Sequence, residues 1–343
     1  MTVRSAAIRV IVRVSTCNLG DGPGLATRYR CVVDLTARIG SGEGGFVLFA
    51  VTPPRRSTPA ERLPKIANAT IERLSHLDLD GLVLYDIDDE SSRNPVERPF
   101  PFSATVDPSE YRVNHMHQWR TPVIVYRAVG KLQREDLRTW IEEQDPRHTL
   151  TVMVGAASSG AVPAVSLADA QAMRADLNPG LLLGGVAIPE RHSRRENEHL
   201  RLIAKQAAGC SFFVTQAVYD VTSTLSLLSD YALALEAAGR PPSPIVLTFS
   251  PCGSVKTLEF MKWLGIRFPR WLENELRFAR DPLETSLGLC ERIFLEVWDF
   301  ARKKGLPLGV NVESVSIRKA EIDASTQLVK TLRTHTQRSL YHP

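Results

Sequence analysis

The chain has 343 residues, 43% of them hydrophobic and 23% charged, with a formal net charge of +4. That is enough chain for one large barrel or two ordinary domains. Basic and acidic residues are interleaved and no apolar run reaches membrane-spanning length, so neither nucleic acid nor membrane is expected as a partner.

Residues 1–44 form an N-terminal extension in this reading. They hold strand-like pieces, IRVIVRV and RCVVDLTARI, and close in a glycine-rich join over residues 40–45. A hairpin and partial disorder are both compatible with them. Arg4, Arg9 and Arg13 interrupt any apolar core of a signal peptide.

From residue 45 the chain alternates. Eight apolar, β-branched runs read as strands: GFVLFAV (45–51), GLVLYDI (81–87), PVIVYRAV (122–129), TLTVMVGA (149–156), LLLGGVAI (181–188), FFVTQAV (212–218), PIVLTFSP (244–251) and LPLGVNVESV (306–315). They are nearly continuous in apolarity, as strands buried on both faces should be. Helical patterns lie between them, among them residues 196–209 and 223–239, each closed by glycine, more than one helix over 254–305, and a last one over 318–337. Eight strands alternating with helices predict a (β/α)8 TIM barrel over residues 45–340. A doubly wound sheet is the alternative, and its Gly-rich first turn is missing.

The cysteines at 17, 31, 210, 252 and 290 are odd in number and widely spaced, which disfavours disulfides or structural zinc and fits a reducing cytoplasm. His115 and His117 read as surface residues, and no metal is expected.

In a barrel, chemistry gathers where strands end. Thr52-Pro53-Pro54-Arg55 stops the first strand, because proline cannot donate to a sheet ladder. The second strand ends in Tyr85-Asp86-Ile87-Asp88-Asp89-Glu90, either a proton-donor site or a solvated acidic loop balanced by Arg93 and Arg98. The fifth ends in Pro189-Glu190-Arg191-His192. The sixth carries Thr215-Gln216, and the eighth Asn311 and Glu313; polar groups inside such strands need partners in the core or in a ligand. Glu198 and Lys205, seven apart on one helical face with Arg201 between, read from spacing alone as a surface salt-bridge row.

Taken together, FAVTPPR (49–55), PERH (189–192), AGCSFFVTQAVYD (208–220), PCGS (251–254) and RFPRWL (267–272) resemble the methylenetetrahydrofolate reductase family over roughly residues 46–320. The resemblance implies a TIM barrel in which a nicotinamide reduces FAD and the flavin reduces 5,10-methylenetetrahydrofolate, a step of one-carbon metabolism toward methionine. It implies that Gln216 holds the pterin with Thr215 and His192 beside it, and that Lys205, Glu198 and Tyr126 stand in flavin-contact positions.

The departures from that family are equally specific. The catalytic Glu of the first strand is Ala50. The Arg-Gly-Asp ending the fourth is Val154-Gly155-Ala156, and Tyr126 replaces a His on the third. The flavin cradle is therefore expected to be eroded. A nicotinamide can deliver hydride directly when held in contact, so NAD(P)H without flavin is the leading reading. Glu190, Asp88 and Glu313 are the candidates for the missing acid. An ordinary FAD-dependent reductase and a repurposed, non-catalytic folate-binding barrel are the alternatives. NADH against NADPH, and the oligomeric state, are left open by the sequence.

Overall fold

The computed structural model describes residues 34–89, 91, 94–155 and 163–341. The chain divides into two units, Met1–Val32 and Val33–Pro343. Of the strand-like pieces considered for a hairpin in the extension, IRVIVRV and the first residues of RCVVDLTARI lie outside the described residues, as do Cys17, Cys31, Glu90, Arg93 and Ala156.

The second unit is the expected (β/α)8 barrel. Strands β1 (Val47–Val51), β2 (Gly81–Leu84), β3 (Val123–Ala128), β4 (Thr149–Val154), β5 (Leu183–Ala187), β6 (Cys210–Ala217), β7 (Ile245–Phe249) and β8 (Leu308–Val312) pair in parallel in chain order, and β8 closes on β1. Alternate residues of one strand face opposite layers. Val47, Phe49, Leu82 and Leu84 pack outward under the helices, while Leu48, Ala50, Val83, Ile124, Val152, Phe212 and Val246 fill the interior. This explains the continuous apolarity of the runs: both faces are buried. Two interior positions are glycine because an aromatic ring takes the space. A Cβ on Gly184 would stand 2.5 Å from Phe212, and one on Gly309 would collide with Phe46.

Residues 35–40 differ from the expectation. Instead of continuing a strand they form helix α1 (Leu35–Gly40), with the Asp34 side chain accepting from the Thr36 amide as an N-cap. Leu35 and Ile39, four apart, share one helical face and bury among the interior residues. Leu35 reaches Gly81 at the start of β2, so α1 stoppers the N-terminal end of the barrel. Arg38 holds it there, donating to the Gly44 carbonyl and pairing with Asp80 at 3.6 Å. Asp80 in turn accepts from the Val47 amide at 2.7 Å and from Arg333 at 2.7 Å.

The outer layer runs α2 (Leu63–Ser75), α3 (Pro108–His115), α4 (Arg134–Glu143) and α5 (Leu167–Leu177). After β5 come α6 (Pro189–Arg195) and α7 (Glu198–Ala207), and after β6 comes α8 (Val221–Ala237). β7 is followed by α9 (Val255–Trp263), α10 (Arg270–Phe278) and α11 (Pro282–Lys303), and β8 by α12 (Lys319–Tyr341). None of the described helices is long and apolar enough to cross a membrane. At the opposite end of the barrel from α1, Thr52-Pro53-Pro54-Arg55 leaves β1. Its Arg55 bridges antiparallel to Thr105, and the Val106 amide donates to the Pro54 carbonyl at 2.9 Å.

Candidate functional site at the C-terminal mouth

A polar group crowns the apolar interior at the C-terminal end of the barrel. Glu313 follows β8 directly, and its amide extends the ladder to the Phe249 carbonyl at 2.9 Å. The Tyr85 hydroxyl hydrogen-bonds to the Glu313 carboxyl. Asn311 donates to Tyr85 Oη at 3.1 Å and to Thr248 Oγ1 at 3.3 Å. Tyr126 meets Tyr85 edge to face, ring centroids 4.9 Å apart. The result is a relay from Asn311 through Tyr85 to Glu313, walled by two tyrosine rings. Asn311 Oδ1 and Ser250 Oγ, both buried near the strand ends, have no protein partner, and orphaned acceptors of this kind mark places where another molecule can supply the bond.

Electrostatics follow from burial. With few waters to solvate its charged form, the Glu313 carboxyl is pushed up to about 7, and the Tyr85 hydrogen bond offsets only part of this. Burial, then the neighbouring Glu313 charge, drives both tyrosine hydroxyls above their ordinary range. At neutral pH the site thus holds a carboxyl of raised proton affinity beside two neutral phenols.

The other acids lie elsewhere. Glu190, buried in the first turn of α6, is also pushed up to about 7 by burial, against hydrogen bonds from its own and the Arg267 backbone amides; Asp220 adds to the rise. Its Oε2 has no partner. Glu190 therefore belongs to a group with Asp220 and Arg267 at the α6–α8 junction, not to the Tyr85–Glu313 group. Asp88 stands after β2, 3.9 Å from Lys131 Nζ, which Asp86 holds more closely at 2.9 Å. Lys131 thus balances Asp86 and Asp88, while hydrogen bonds from Ser91 and, more weakly, the expected Arg98 favour the charged form of Asp89. Of the three acid candidates, the structure places only Glu313 within the tyrosine-walled mouth.

The binding candidates divide in the same way. Gln216, half-buried at the end of β6, donates Nε2 to the Leu264 carbonyl at 3.3 Å, which pins the loop before Arg267 to the rim. Thr215 uses its hydroxyl inside the sheet, accepting from the Thr248 amide at 3.0 Å where the β6–β7 register shifts, so it is committed to the wall. His192 is 2% exposed and sits 3.2 Å from Asp230, on α8, outside the barrel.

Lys205 and Glu198 do not fit a flavin-phosphate cradle. Lys205 lies between α7 and β5, its stem against Gly185 and its ammonium on the Val186 carbonyl, and burial lowers its proton affinity. Glu198 is fully buried. It accepts from the Ile188 amide at 3.2 Å and from Arg191 at 3.1 Å, with Arg201 at 3.4 Å. It is neither the surface salt-bridge residue that spacing suggested nor open to a cofactor; it ties the exit of β5 to α7. Tyr126 does face the mouth, but as a wall against Tyr85. Tyr85, which joins Asn311 to Glu313, is not among the candidates that the sequence singles out. The signal lay in the two-residue period Gly81, Val83, Tyr85, which turns this hydroxyl inward.

No protein-family profile matches the chain, and no curated protein does. Among solved structures, one described as an uncharacterized protein from Clostridium thermocellum that binds two copies of 5-methyl-5,6,7,8-tetrahydrofolic acid superposes with a TM-score of 0.78 at 43% identity, covering 88% of this chain and 99% of that one. Far weaker likenesses reach a GH10 endoxylanase from a sugarcane soil metagenome (TM-score 0.45, 12% identity, 78% of this chain and 86% of that one). The tryptophan synthase α-subunit of Pyrococcus furiosus stands at the same level (TM-score 0.44, 11% identity, 84% and 97%). The identity and near-complete coverage of the first of these establish that the chain belongs to the same family as the Clostridium thermocellum protein.

Proposed function

We propose that this protein binds a reduced folate across the C-terminal mouth of its barrel and reduces 5,10-methylenetetrahydrofolate to the 5-methyl form, with Glu313 as the acid. Binding is supported by the 43% identical relative, whose ligand is the product of that reaction. The observation that carries the chemistry is the position and state of Glu313. The resemblance leads one to expect an acid at position 50, which is alanine. Glu313 follows Val312, the register partner of Phe49, so it occupies the neighbouring strand at the level of Ala50.

Opening the five-membered ring breaks the bond from the methylene carbon to N10, and N10 takes a proton. A carboxyl with a pKa of about 7 is suited to give it at neutral pH, and general acid catalysis of this kind contributes roughly 10²–10⁴-fold. The nicotinamide, as second substrate, supplies the hydride to that carbon. Tyr85 orients the carboxyl, the two tyrosine rings exclude water, and Gln216 on the rim offers an amide to the pterin. Glu313, left as carboxylate, recovers its proton from solvent. The misfit of Lys205 and Glu198 with a flavin supports direct transfer without FAD.

A second reading, a folate-binding barrel without turnover, is favoured by Ala50 alone. The two are separated by following nicotinamide absorbance anaerobically with methylenetetrahydrofolate in colourless protein, alongside calorimetric titration with 5-methyltetrahydrofolate. Folate-dependent oxidation lost in Glu313→Gln supports the reductase. Tight binding with no oxidation supports the second reading, and absence of both overturns the folate assignment.

A further inference from the structure

Outside the barrel, three helices bring together side chains that the proposed reaction does not use. His192 on α6, His199 on α7 and Asp230 on α8 each present one ligand atom, all within 4.8 Å of one another. His192 Nε2 and Asp230 Oδ2 are 3.2 Å apart. Metal–ligand bonds of about 2.1 Å make neighbouring ligand atoms about 3.0–3.4 Å apart in octahedral or tetrahedral geometry, so this pair already has the edge length of a coordination shell. The two imidazoles meet nearly perpendicular, 5.4 Å between centroids, and the half-buried His199 offers a ring nitrogen within 4.8 Å of the other two ligand atoms. Both rings have a buried Nδ1 without a protein partner, while His192 Nε2 faces the Asp230 carboxylate. His192 and Asp230 also line a cavity of about 700 Å³ with Ser193, Asp220 and Arg267, through which an ion can enter.

We propose that His192, His199 and Asp230 form a binding site for a divalent transition metal, zinc by ligand chemistry, that clamps α6 to α7 and α8. Two imidazoles and one carboxylate are ligands suited to such ions rather than to calcium or magnesium. Three protein ligands leave at least one position open toward the cavity. The clamp acts on α6, where Glu190 lies two residues before His192, and so fixes the exit of β5.

The test uses the full chain, stripped with a chelator and titrated with Zn²⁺ by calorimetry and with Co²⁺ by visible absorption. One equivalent is expected, with a Co²⁺ spectrum showing nitrogen and oxygen ligation. Affinity should fall about a hundredfold in His199→Ala and in Asp230→Ala, two half-exposed positions whose folding is checked by circular dichroism. A stoichiometric site that survives both substitutions, or folded wild-type protein that takes up neither ion, overturns the proposal. A fall in only one variant, with the other folded and unchanged, overturns the three-ligand assignment.

Discussion

Glu313→Gln tests the buried acid without any assumption about substrate. Glutamine has the shape of the protonated carboxyl and still offers Tyr85 a carbonyl to hydrogen-bond. In the wild type, the folded protein holds the Glu313 proton up to about pH 7, whereas the unfolded chain releases it near 4.5. Between these values the folded state binds more protons than the unfolded state, so this group's contribution to stability falls as pH rises through the window and is level on either side. The span from 4.5 to about 7, at about 1.4 kcal/mol per pH unit, gives a ceiling of about 3 kcal/mol, reduced by whatever water reaches the half-buried carboxyl. Urea unfolding of both proteins at pH 5 and pH 8.5 yields a double difference in which all other titrating groups cancel. Glu313→Gln should gain roughly 1–3 kcal/mol relative to wild type between the two pH values. An identical pH dependence in the two proteins would refute the buried-acid argument, and the proposed proton donor with it.

Glu190→Gln should shift the same curve in the same direction, since burial raises that carboxyl also; a shift of opposite sign would show that Glu190 is ionised against Arg267. Gln216→Ala removes a rim amide and should weaken 5-methyltetrahydrofolate binding about tenfold by calorimetry, the value of one hydrogen bond; unchanged affinity would place the pterin elsewhere. Glu198→Ala leaves Arg191 and the Ile188 amide without their acceptor and should cost about 3 kcal/mol in urea unfolding, as broken buried ion pairs do; less than 1 would mean that the β5–α7 tie is solvated. Leu35→Ala empties part of the barrel stopper and should cost about 2–4 kcal/mol, measurable in the same way.

How much of this was legible beforehand depended on the range of each interaction. The eight strands were readable because burial on both faces writes itself into consecutive residues. Helix α1 was not, because the β-branched Val32-Val33 just before it extended a strand-like pattern over the Asp34 cap. Glu198 and Lys205 were placed correctly on one helix, but spacing does not say whether that face meets solvent or a sheet. Here it meets β5, and both charges turn to backbone groups. The pairing of Tyr85 with Glu313, and of His192 with Asp230, comes from closure of the barrel and the packing of its outer helices, which no local period records.

Register adds a point about the eroded mouth. Ala50 and Val154 make it more apolar than the resemblance would lead one to expect, and this same loss of polarity raises the proton affinity of the acid that remains. Had β1 carried a glutamate at position 50, its charge beside Glu313 would have pushed one of the two carboxyls still higher and left the other ionised, as like charges at close range do. With alanine there, a single carboxyl stands at this level, raised by burial and partly offset by the Tyr85 hydrogen bond. In the proposed mechanism the acid stands on β8, beside the β1 position where the resemblance would put it. Ala50 stands across the register from Glu313, so burial alone, without a second carboxyl, raises the Glu313 proton affinity.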